Sequence, residues 1–61
     1  MLEKMLEIAK ENAIEGQIIV RIDMQLNYKS YLWSTRVWYS GDRVIDINQT
    51  AEGFEVYSII K

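Results

Sequence analysis

The sequence predicts an α+β domain: a single N-terminal helix packed on a four-stranded antiparallel β-meander, in the order α-β-β-β-β. Three observations lead there. Residues 17–28 alternate apolar and polar with a strict period of two, the signature of a half-buried strand. The first fifteen residues instead repeat their apolar positions at spacings of three and four, which is helical. The remainder is cut by two turn signals into runs rich in aromatic and β-branched residues, with no proline to demote any of them. The predicted bounds are about 1–15 for the helix and about 17–28, 31–40, 43–49 and 54–60 for the strands, in one domain covering 1–61.

In the helix, Leu2, Met5, Leu6, Ala9 and Ala13 share one stripe, and the small alanines allow close approach to a sheet. Gly16 is placed as the C-terminal cap, where a left-handed residue is favoured. Glu3, Glu7, Glu11 and Glu15 form an acidic line on the opposite side, flanked by Lys4 and Lys10. The helix thus carries four acids and two bases. The rest of the chain carries five of each, so the whole net charge of −2 sits on the helix. This line is ordinary solvated surface or, in the sharper reading, an acidic docking face for a basic partner.

In the first strand, Ile18, Val20, Ile22, Met24, Leu26 and Tyr28 fall on one face. Ile19, Arg21 and Asp23 fall on the other. Eleven extended residues span about 37 Å. A compact chain of this length is a sphere only about 27 Å across. The strand must therefore coil, bend at a bulge or project.

Asn27-Tyr28-Lys29-Ser30 provides the first turn, Ser40-Gly41-Asp42 the second and Thr50-Ala51-Glu52-Gly53 the third. An even first loop pairs Leu26 with Tyr31, Met24 with Trp33, Ile22 with Thr35, Val20 with Val37 and Ile18 with Tyr39. A three-residue second loop continues Val37 to Ile45 and Thr35 to Ile47. A two-residue turn at Gly41 would turn Asp46 inward, and an unpaired buried carboxylate is costly, so the longer loop is preferred. A four-residue third loop continues Ile47 to Val56. The predicted core is the helix stripe on Ile18, Val20, Ile22, Met24, Trp33, Val37, Ile45, Ile47, Phe54, Val56 and Ile60.

That register also lays out the far face of the sheet. One row is Ile19, Trp38, Val44 and Ile59. The next is Arg21, Arg36, Asp46 and Tyr57, followed by Asp23, Ser34, Asn48 and Glu55. An apolar stripe centred on tryptophan, edged by Tyr and Arg, has the composition of a protein-binding hot spot. Ile19, Arg21, Arg36, Trp38, Val44, Tyr57 and Ile59 are the candidate protein-binding residues.

Composition excludes most chemistry. With no cysteine and no histidine there is no disulfide, thiolate nucleophile, imidazole base or zinc site of the usual kind. No calcium, phosphate-binding, dinucleotide-binding or nucleophile-elbow motif occurs. A chain this small has little room for a pocket of even about 300 Å³. No catalytic, cofactor-binding or metal residue is assigned. No apolar run reaches the roughly 20 residues of a membrane span, and the acidic N-terminus is unlike a signal peptide. A cytoplasmic protein is expected.

The functional expectation is a non-catalytic protein-interaction module. It would be an inhibitor or regulator that occludes a partner's surface, itself homodimeric because small domains commonly complete their cores by association. At the level of class alone, phage-encoded antagonists of bacterial defence systems are proteins of this kind. The alternative is a small regulator that stacks nucleic acid on Trp38, Tyr57, Arg21 and Arg36. It lacks the basic groove such binding needs.

Overall fold

The computed structural model describes residues 2–26 and 30–59, with the side chain of Leu2 left aside. The elements are α1 (Leu2–Glu11), β1 (Ile19–Leu26), β2 (Trp33–Tyr39), β3 (Val44–Thr50) and β4 (Gly53–Ile59). The strands form one antiparallel sheet in the order β1-β2-β3-β4, with the helix on one face. This is the predicted α-β-β-β-β meander. Met1, the turn residues 27–29 with Tyr28, and the core position Ile60 lie outside the described residues.

The helix is shorter than its apolar period suggests. It stops at Glu11, and Asn12 sends both its N–H and its side-chain amide to the Ile8 carbonyl, at 3.0 and 2.8 Å. Asn competes for backbone groups in this way and ends helices. Gly16 is therefore not the helix cap. It sits at φ +87° in a separate turn closed by the Gln17 N–H on the Ile14 carbonyl at 2.8 Å. Glu3, Glu7 and Glu11 remain on the exposed side of α1, whereas Glu15 belongs to this turn.

Met5 and Ala9 of α1 are buried against Val37, Tyr39, Ile45 and Ile47, with Ile8, Ala13, Ile19, Ile22, Met24, Trp33 and Phe54 packed around them. The Tyr39 hydroxyl donates to the Ala9 carbonyl across this layer. Arg43 bonds the Asn12 carbonyl and Gln17 Oε1, with its guanidinium 4.9 Å from the Tyr39 ring centre. A cation on the last carbonyls of a helix is favourable. Helix end, connection and β2–β3 turn are thus tied at one corner.

β2, β3 and β4 pair as predicted: Val37 with Ile45, Thr35 with Ile47, and Ile47 with Val56. The second loop has three residues, with Gly41 at φ +78° and Asp42 at φ +62°, closed by the Tyr39 N–H on the Arg43 carbonyl at 2.8 Å. The third loop is tighter than predicted. Thr50 pairs with Gly53 and leaves only residues 51 and 52 in the turn, in the same register.

β1 departs from prediction in two ways. It slides by two residues along β2, so that Leu26 meets Trp33, Met24 meets Thr35 and Ile22 meets Val37. The connection between paired residues accordingly runs over 27–32 instead of 27–30, and Tyr31 lies outside the strand. A β-bulge also falls between Ile19 and Arg21. The extra residue flips the alternation on its N-terminal side. Ile19 turns inward opposite Tyr39, whereas Ile18 and Val20, predicted for the core, are 67% and 64% exposed. The anchor is polar: Ser40 Oγ accepts the Ile18 N–H at 3.1 Å, and the Ser40 N–H donates to the Ile18 carbonyl at 2.9 Å. Val56 keeps the predicted face but, on an outer strand, stays 41% exposed.

Candidate interaction face

α1 covers one face, and among the described residues the other face is displayed by the strands together with Tyr31 of the first connection. Strand alternation assigns it to Arg21, Asp23 and Gln25 on β1, Ser34, Arg36 and Trp38 on β2, Val44, Asp46 and Asn48 on β3, and Glu55, Tyr57 and Ile59 on β4. Three rows cross it. Trp38, Val44 and Ile59 stand in line, as do Arg36, Asp46 and Tyr57, and Ser34, Asn48 and Glu55. These are the predicted rows over β2–β4. On β1 each row is offset, so Arg21, not Ile19, stands beside Trp38, and Asp23 stands beside Arg36. Of the candidate residues, Ile19 alone is absent from this face; it packs into the core.

The apolar row is largely closed. Val44 is only 3% exposed, Trp38 and Ile59 are half-buried, and the Arg21 guanidinium lies 4.7 Å from the Trp38 ring centre. Arg21 also pairs with Asp23 at 2.8 Å. What stays open is a hollow of about 550 Å³, lined by Asp23, Gln25, Tyr31, Ser34, Arg36, Trp38, Asp46, Asn48 and Tyr57. This corrects the expectation of no room for a pocket of about 300 Å³: the hollow lies on the surface of the sheet, where the size of the chain sets no limit.

The floor of the hollow is made of satisfied polar pairs. Arg36 grips Asp46 with two parallel bonds, Nε to Oδ1 at 2.8 Å and Nη2 to Oδ2 at 3.0 Å, the fork geometry that fixes both side chains. Ser34 Oγ donates to Asn48 Oδ1 at 2.7 Å. At the rim, the Tyr57 hydroxyl donates to Glu55 Oε1 at 2.9 Å. That bond and the carboxylate's charge both push the Tyr57 phenol above its ordinary value. The face therefore presents three aromatic rings around a fixed ion pair. Two carboxylates in the lining, Asp23 and Asp46, outnumber its one guanidinium, Arg36.

Sequence reasoning missed Tyr31, taken as a strand residue, and gave no role to Asp46 or to the row of Asp23, Ser34, Asn48 and Glu55. Asp46 carried a usable signal: in the preferred register it faces out opposite Arg36. Tyr31 carried none, because its position depends on the long first connection. Among the described residues no cluster of acids has the arrangement of a metal site, and no helix is long and apolar enough to cross a membrane. No protein-family model, curated protein or solved structure matches the chain.

Proposed function

We propose that the chain is a non-catalytic protein-interaction module, an inhibitor or regulator that works as a homodimer and occludes a partner's surface with the face opposite the helix. The observation that carries this reading is the hollow itself. It is an uncovered, aromatic-rimmed concavity whose ion pair is already locked before any partner arrives. Aromatic rings and an arginine on a fixed scaffold are the groups that supply most binding energy in protein interfaces. Preorganised side chains lose little entropy on association.

The partner chemistry follows from charge. Arg21 offsets Asp23 and Arg36 offsets Asp46, which leaves Glu55 as the far-face carboxylate with no cation beside it among the described residues, so the complementary surface is a loop bearing arginine or lysine. Such a cation fits over the Tyr31 and Tyr57 rings. The nucleic-acid alternative loses support from the same geometry, since Arg21 and Arg36 are both engaged by carboxylates.

Amide shift mapping tests the two readings together. Titration with peptides bearing arginine or lysine is expected to perturb Ser34, Arg36, Asp46 and Tyr57, leaving the exposed face of α1 unchanged. A single-stranded oligonucleotide that perturbs the same set, with steep salt dependence, would overturn the protein-binding reading.

A further inference from the structure

We propose that two copies of the chain pair edge to edge along β4, antiparallel about a twofold axis at Val56, to form one eight-stranded sheet. This rests on the homodimer part of the reading above and deepens it.

The sheet has two edges, and they are built differently. β1 carries the bulge between Ile19 and Arg21, together with the charged pair Arg21–Asp23. Bulges and charges are the usual means of blunting an edge. β4 carries neither. All seven of its residues pair regularly with β3, it contains no proline and no lysine, and Glu55 is its sole charge.

The backbone then restricts how a second strand can add. The Tyr39 N–H bonds the Arg43 carbonyl, so odd-numbered residues of β3 bond β2 and even-numbered ones bond β4. The bonds to β3 are thus made by Gly53, Glu55, Tyr57 and Ile59. The N–H and C=O groups of Phe54, Val56 and Ser58 point at the free edge. A second β4 must set even residues against even ones, and three central registers satisfy this. Centred on Glu55, the two carboxylates oppose each other, which is destabilising. Centred on Tyr57, each Glu55 faces the apolar Ile59 of the second copy. Centred on Val56, Glu55 faces the second copy's Tyr57, a hydroxyl donor that already bonds a carboxylate within one chain. Phe54 then meets Ser58, and Val56, 41% exposed in one copy, packs on its counterpart. On the far face the two hollows meet at Tyr57, so each is bordered by Glu55 of the other copy.

The chain has no cysteine, so one engineered thiol reports cleanly. Opposed residues on hydrogen-bonded antiparallel strands lie about 5.5 Å apart at Cα, within disulfide reach. Val56→Cys is expected to cross-link into dimers under mild oxidation, and Val20→Cys on the β1 edge is not. Val56→Pro removes an N–H that bonds nothing within one copy, so it should keep the native circular dichroism while halving the solution mass. If that variant unfolds, the cysteine pair decides. A dimeric native chain whose Val56→Cys variant cross-links no faster than Val20→Cys overturns the β4 pairing and leaves the homodimer standing. A native chain that is monomeric by light scattering at millimolar concentration overturns both, while occlusion of a heterologous partner is judged separately by the peptide titration.

Discussion

On the helix side of the sheet, Val37, Ile45 and Ile47 are fully buried, and the Tyr39 phenol reaches through to the helix backbone. On the opposite side of the same strands, Arg36, Asp46 and Tyr57 keep contact with solvent and are held by bonds to one another and to Glu55. The first face is specified by volume, because close packing tolerates neither a gap nor an added group. The second is specified by paired donors and acceptors, which place side chains but contribute little net stability at a surface. Core packing and the proposed recognition thus sit on opposite sides of a single sheet.

Truncation should show the contrast most strongly. Ile45→Ala on the buried face is expected to lose roughly 2–5 kcal/mol. In a domain of this size each kcal/mol shifts the melting midpoint by about 4–8 °C. Ile59→Ala, half-buried on the far face, should lose clearly less. Equal losses in thermal unfolding would mean that the far face is core as well.

Tyr39→Phe comes next, at about 1–2 kcal/mol, because it strips the Ala9 carbonyl of a buried donor. Burial raises the Tyr39 phenol above the ordinary tyrosine value of about 10, with Arg43 opposing the shift. A raised folded value means the tyrosine contribution is full below the ordinary value and is lost as pH climbs through the folded one. Denaturant midpoints in rising alkali should fall more steeply for the native chain than for Tyr39→Phe. Parallel curves would mean the phenol titrates without consequence.

Thr35 is the one buried residue of the helix side whose replacement should raise stability. It is fully buried on the helix side, and its Oγ1 has no hydrogen-bond partner among the described residues. An apolar replacement of the same shape removes that cost, so Thr35→Val should gain up to about 1 kcal/mol. A loss in urea unfolding would show that the hydroxyl is satisfied in solution.

The smallest effects belong to the far face. Asp46→Asn breaks the fork with Arg36 and should cost under about 1 kcal/mol, while reshaping the hollow enough to weaken peptide binding. Glu55→Gln removes the carboxylate beside Tyr57 and should bring that phenol's titration back toward its ordinary value, read by NMR. A stability loss from Asp46→Asn as large as that of Ile45→Ala would erase the distinction between the faces.

Element type and order, and the pairing of β2, β3 and β4, were legible in the sequence for local reasons. Alternation sets which residues share a face, and the three-residue second loop leaves the register that keeps Asp46 outward. The rows Trp38–Val44–Ile59 and Arg36–Asp46–Tyr57 follow from that alone. Tertiary structure decided the rest, and each case turned on polar groups brought together from separate elements. The helix ends at Glu11 because Asn12 turns back on Ile8 and Arg43 takes the Asn12 carbonyl. β1 bulges because Ser40, across the sheet, holds Ile18 while Ile19 is drawn in against Tyr39. The hollow exists because the first connection is long enough to bring Tyr31 over the far face. Such contacts have no period and no local motif. They arise only once the strands are side by side, where one hydrogen bond between distant residues outweighs the alternation of a single strand end.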